Sequence, residues 1–129
     1  MNKKLRLAGT FFGATAVILG AFGAHGLETH IDSAAIDTYK TGVMYQFYHT
    51  FLLLIVSFFA LNEKTKRILF WLLVIGILCF SGSIYFLATN TVTAFDFKIL
   101  GPVTPLGGTL LIAAWIVLFV NFLKKGGDN

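Results

Sequence analysis

Cysteine is nearly missing from this chain. Cys79 is the only one in 129 residues, which excludes an internal disulfide or a cysteine-built metal cluster. Lying within an apolar stretch, it reads as a small packing residue. Charge is missing from four stretches, residues 7–27, 43–61, 68–88 and 103–123, and all sixteen charged side chains sit between or beside them. A soluble helix needs a charged face, and these have none. The lack of any carboxylate in the stretches also argues against the carboxylate-based proton-for-drug exchange of small multidrug exporters, where His49 could titrate instead. Recognisable catalytic motifs are absent too: there is no P-loop, no G-x-S-x-G, no H-E-x-x-H and no dinucleotide fingerprint. No enzyme activity is expected.

What is present is hydrophobic length. A bilayer core about 30 Å thick needs roughly 20 apolar helical residues to cross it. The four stretches hold 19 to 21 residues each. The gaps between them are too short for a soluble domain, which usually needs about 50 residues. The expectation is therefore an all-α, multi-pass bundle of four transmembrane helices, one domain over residues 1–129.

The net charge of +4 does not point to nucleic acid, because the basic residues sort by side. Lys3, Lys4, Arg6, Lys64, Lys66, Arg67, Lys124 and Lys125 fall on one side of a four-span chain; only Lys40 and Lys98 fall on the other. This positive-inside bias places both termini in the cytoplasm, with the plasma membrane as the site. The basic flanks also favour anionic headgroups, so the lipid bilayer is the first partner. Residues 1–26 mimic a secretory signal peptide, but the apolar run exceeds the usual 7–15 residues of a signal core, so a retained span is expected.

Small residues recur along the first span at Gly9, Gly13, Ala16, Gly20 and Ala24, a strip that lets helices approach closely. Such a strip packs within the monomer or serves a homo-oligomer or a membrane-protein partner. Gly23 adds a close contact near the outer end, Gly82 belongs to a second small-residue face, and Gly107 and Gly108 permit a bend or close backbone contact in the last span. In the first outer connection, Asp32 or Ser33 is an expected N-cap, starting a helix near Ser33 that runs to Leu61. Residues 62–67 make a short basic turn, Pro102 and Pro105 suit the opening of the last helix, and residues 126–129 form a frayed tail.

Titratable groups inside a membrane are costly and so are candidates for function. His49 is the foremost, roughly 9 Å below the outer boundary at 1.5 Å per residue. Gln46 lies one turn above it and Tyr45 four residues before it, close enough to form one polar stripe. His25 ends the first span, and if the first two helices pack together the two histidines share one site. Three readings are open: a hydrogen-bonded polar cluster, a site for a ligand or proton, or haem held between two imidazoles, for which no attachment motif exists. Zinc lacks ligands, and neither metal nor cofactor is expected.

Four motifs in order carry a family resemblance: Leu19-Gly-Ala-Phe-Gly-Ala-His-Gly-Leu27, Tyr45-Gln-Phe-Tyr-His49, Phe80-Ser-Gly-Ser-Ile-Tyr-Phe-Leu87 and Gly101-Pro-Val-Thr-Pro-Leu-Gly-Gly108. Over nearly its whole length the chain resembles the small membrane proteins grouped as domain of unknown function 423, to which eukaryotic transmembrane protein 256 is related. The resemblance implies four retained helices and no established activity, and its motif histidines fall on His25 and His49. The resulting expectation is a small non-enzymatic accessory or ligand-binding membrane component. The alternatives are transport of a proton or small molecule through His49 and Gln46, or a haem redox protein.

Overall fold

Lipid offers no partner to a peptide group, so uncharged apolar stretches fold as helices that satisfy their own backbone. The computed structural model describes residues 1–125 and contains helices but no strand among the described residues. The tail expected at 126–129 lies outside them. The helices are α1 (Asn2–Phe22), α2 (Ser33–Val56), α3 (Glu63–Ile77), α4 (Ser83–Ala88) and α5 (Val103–Lys125). Wide turns of the π type, each accommodating one extra residue, extend α1 over Gly23–Leu27 and join α3 to α4 over Leu78–Gly82. Asp32 caps α2, its carboxylate accepting from the Ala35 amide at 2.7 Å, and Asn62 caps α3 through the Thr65 amide at 2.8 Å.

Three rods are long and apolar enough to cross a membrane: Asn2–Leu27, Glu63–Ala88 and Phe97–Lys125. The remaining helix, α2, has 24 residues but carries Tyr45, Gln46, Tyr48, His49 and Thr50 within two turns, which lowers its apolar character. It also stops earlier than the apolar run suggests. After Val56 the amides of Ser57, Phe58 and Phe59 bond to carbonyls three residues back, and the Ser57 hydroxyl donates to Leu54 O at 2.6 Å. These contacts tighten and end the helix before Leu61. At the other boundary, Lys3, Lys4 and Arg6 lie inside the first turns of α1 rather than before it.

Helices α1 and α2 pack antiparallel, and the small-residue strip is what brings them together. A Cβ built on Gly9 would lie 2.6 Å from the Leu54 side chain. Gly13 faces Thr50, Gly20 faces Val43, and Gly23 lies against the Tyr39 ring. Gly76 does the same for α3 against Leu111 of α5, and Gly107 sits directly on the backbone of Cys79 and Phe80. Gly82 departs from the expected packing role. A Cβ there meets nothing within 4 Å, because the wide turn swings it out of the helix contacts.

The basic segments converge at one end of the bundle. The Lys66 ammonium donates to Asn2 Oδ1 at 2.7 Å, Arg6 Nε donates to Ser57 Oγ at 3.2 Å, and the amino terminus pairs with Glu63 at 3.0 Å. Above this end lies an apolar core that includes Leu5, Phe12, Leu53, Val56, Leu69, Leu73, Leu111 and Leu118. A second, smaller core of Leu27, Ile31, Ile36, Tyr39 and Ala88 closes the opposite end. Gln46, His49, Thr50, Ser81 and Ser83 are buried between the two, as a polar belt across the bundle.

Helix propensity favours alanine over glycine by about 1 kcal/mol, so only contacts make these glycines necessary. Gly107→Ala is expected to lose about 1–3 kcal/mol through overpacking against backbone. Gly82→Ala is expected to be neutral or stabilising by up to about 1 kcal/mol. Thermal unfolding in detergent, followed by circular dichroism, compares the two; equal melting points would contradict this account of the packing.

A polar belt and a lateral crevice

Helical side chains lean toward the N-terminus of their own helix, so a residue on α5 reaches a level one turn nearer that end. Trp115 does this, and its indole Nε1 donates to His49 Nε2 at 3.1 Å. An indole nitrogen can only donate, so Nε2 must supply its lone pair and the imidazole proton must sit on Nδ1. Nδ1 lies 2.8 Å from the Tyr45 carbonyl, which accepts that proton. Both ring nitrogens are therefore engaged, in a single tautomer of the neutral ring.

Gln46 belongs to a different network. Its amide nitrogen donates to Phe12 O and Thr15 Oγ1 of α1, both at 2.9 Å, while its oxygen accepts from Tyr85 OH at 2.6 Å. All the polar atoms of this side chain face α1 and α4, whereas His49 faces α5. The expected stripe is thus two separate clusters on neighbouring faces of α2. Ser81 Oγ donates to Gly42 O at 2.7 Å, and Ser83 and Thr104 share a hydroxyl contact of 2.6 Å. The Thr50 hydroxyl, 1% exposed, has no hydrogen-bond partner.

His25 joins neither cluster. It lies on the exposed surface of the wide turn after α1. Because Gly13 packs beside Thr50, a position twelve residues further along α1 is displaced by roughly 18 Å at 1.5 Å per residue. One iron cannot take both imidazoles at that separation, and His49 Nε2 is already occupied. The shared site of His25 and His49, and with it the two-histidine haem, does not fit this geometry.

Beside His49 is a crevice of about 330 Å³ between α2, α5 and the wide turn of α3. Tyr45, Phe80, Gly108, Leu111, Ile112 and Trp115 line it, and His49 forms its floor. Tyr45, Ile112 and Trp115 are exposed at its rim, so it opens sideways, toward the lipid-facing surface. Phe80 packs on Tyr45 with ring centroids 5.0 Å apart. Gly108, expected as a packing residue, has the Phe80 ring at ordinary contact distance and lines the opening. Sequence reasoning missed Trp115, Phe80 and Tyr85. Phe80 and Tyr85 stand in the third of the four motifs, and for Trp115 the signal was that Gly108, Leu111, Ile112 and Trp115 share a helix face at intervals of three and four.

A family model described as a protein of unknown function, DUF423, matches residues 19–108. The chain belongs to the DUF423 family. Among its relatives, the UPF0382 membrane protein YwdK of Bacillus subtilis is 40% identical over 123 residues, covering 92% of this chain and 94% of that protein. A UPF0382 membrane protein of Haemophilus influenzae is 40% identical over 125 residues, with 96% of each covered. One from Staphylococcus epidermidis is 38% identical over 125 residues, covering 94% and 96%. No solved structure matches the chain.

Replacing Gln46 by Leu removes the acceptor of Tyr85 OH, an expected loss of about 1–3 kcal/mol, while Thr15 keeps its bonds to the carbonyls of Phe11 and Phe12. In a Gln46→Leu/Tyr85→Phe double-mutant cycle, the coupling is expected at about 0.6–1.7 kcal/mol, the range for interhelical bonds in membranes. Additive effects would mean that this bond contributes nothing.

Proposed function

We propose that the protein is a four-span component of the plasma membrane, with both termini cytoplasmic, that holds a small apolar molecule or amphiphile without transforming it. The crevice on His49 carries this reading. It is apolar almost throughout, opens toward the bilayer, and ends on one polar pair, His49 and Trp115. Small-molecule sites commonly combine an apolar wall with a few fixed polar groups of this kind. A ligand hydroxyl would compete with Trp115 for the imidazole lone pair, and a ligand carbonyl would compete with the imidazole for the indole N–H.

The four-span reading is supported by the position of α2. Its contacts with α1 run from Leu54 beside Gly9 to Tyr39 beside Gly23, so it covers the height of a rod long enough to cross. Its Gln46, His49 and Thr50 side chains are buried inside the bundle, so they lower the apolar character of the helix without meeting lipid. The excess of basic residues at one bundle end favours the cytoplasm for that end. The small-residue strip is used against α2, which favours internal packing over a homo-oligomer face; another membrane protein would meet the lipid-facing surfaces instead. Proton or small-molecule transport through a His49/Gln46 pair has less support, since the two side chains belong to separate networks.

Native mass spectrometry of the gently solubilised protein, with an absorption spectrum, tests the reading. The wild type is expected to retain a small apolar mass and to show no Soret band. Ile112→Trp, which fills the crevice, and His49→Ala are both expected to lose that mass. A bare polypeptide in the wild type, or the same mass in all three, would overturn the ligand-binding reading.

A further inference from the structure

The basic end of the bundle has more cations than the protein itself answers. Arg6 donates to Ser57 and Lys66 to Asn2, but neither acceptor is charged. Glu63, the acidic side chain of that end among the described residues, already pairs with the amino terminus, and this is the only ion pair among them. Arg67, exposed on the first turns of α3, meets no carboxylate among those residues.

Directly along the helix from Arg67 runs a groove of about 370 Å³, lined by Ile68, Trp71, Leu72 and Ile75 with Leu110 of α5. From Arg67 to Ile75 it rises by eight residue steps, roughly 12 Å along the helix axis. The groove is apolar beneath a single cation. On the other flank of α3, the pattern repeats. Lys4 heads a groove of about 470 Å³ whose walls include Leu7, Phe11, Phe70, Val74 and Leu78.

We propose that the Arg67 groove is a binding site for an anionic phospholipid, with the phosphate on the guanidinium and one acyl chain along Trp71, Leu72 and Ile75. A planar guanidinium presents paired N–H groups that match phosphate oxygens, which a lysine does not reproduce. Trp71, one turn below, is of the residue type that settles where headgroup meets hydrocarbon. The apolar floor selects a lipid over a free phosphate ion, and the uncompensated positive charge selects an anionic head over a zwitterionic one. This site lies between α3 and α5 at the basic end, separate from the His49 crevice.

The test measures lipid preference in the full chain. Native mass spectrometry compares retention of phosphatidylglycerol and phosphatidylcholine by wild type, Arg67→Gln and Lys64→Gln. In vesicles, quenching of Trp71 by brominated forms of the same lipids is followed in a Trp115→Phe background. Wild type is expected to prefer phosphatidylglycerol, and Arg67→Gln to lower that preference about fivefold, the effect of one interfacial cation. Lys64→Gln removes the same charge outside the groove and is expected to leave the preference unchanged. Equal losses in the two variants would assign the effect to diffuse surface charge and overturn the site. No preference in the wild type would overturn it as well.

Discussion

The hydrogen bonds of α2 are the constraint on which the rest of this structure depends. An amide, an imidazole and several hydroxyls cannot be left unpaired in hydrocarbon without a cost of several kcal/mol each. The bundle answers by surrounding α2. Helix α1 supplies Phe12 O and Thr15 to Gln46, and Leu19 O to Tyr39; Tyr85 comes from α4, and Trp115 from α5. These bonds tie α1, α4 and α5 each to α2 and so fix their rotation about it. The apolar cores at the two ends add packing but little direction, because lipid chains are as apolar as leucine. Rotational order comes from the belt.

The wide turn at Leu78–Gly82 serves the same constraint. One extra residue rotates the helix beyond it, so α4 need not continue the face that α3 presents. Phe80 meets Tyr45, Ser81 reaches Gly42 O, and Tyr85 arrives at Gln46. Gly107 lets the α5 backbone come against this turn. The crevice beside His49 is thus bounded by a break in helical register on one wall and a close backbone contact on another.

Much of the fold was legible in the sequence because membrane insertion imposes a coarse code. Uncharged length marks the helices, and asymmetric lysine and arginine mark the ends. The Asp32 cap was equally plain, since a carboxylate before Ser33-Ala-Ala suits an N-terminus. Which helix faces which was not legible. His49 and Gln46 were recognisable as costly residues, yet a lone sequence holds nothing to say that one turns to α5 and the other to α1. That choice rests on tertiary rotation. His25 misled for a related reason: counted from Val43, His49 lies close to the outer boundary, but the register that sets Tyr39 on Gly23 and Thr50 beside Gly13 places it well below His25 along the axis. Gly82 reads like the other glycines, and only the wide turn distinguishes it. Wide turns have no residue signature comparable to a cap.

The partners of α2 also have an order in time. A ribosome delivers α1 first, so the carbonyls of Phe12 and Leu19 are already present when Gln46 and Tyr39 emerge. Two helices can therefore enter as a hairpin with part of the polar load satisfied from within. His49 is in a different position, because Trp115 is made sixty-six residues later. Until Trp115 emerges, the imidazole has one of its two bonds and faces either lipid or whatever accompanies the nascent chain. Completion of the belt is thus tied to the arrival of α5, and a product truncated before it would carry an unpaired imidazole nitrogen on its surface.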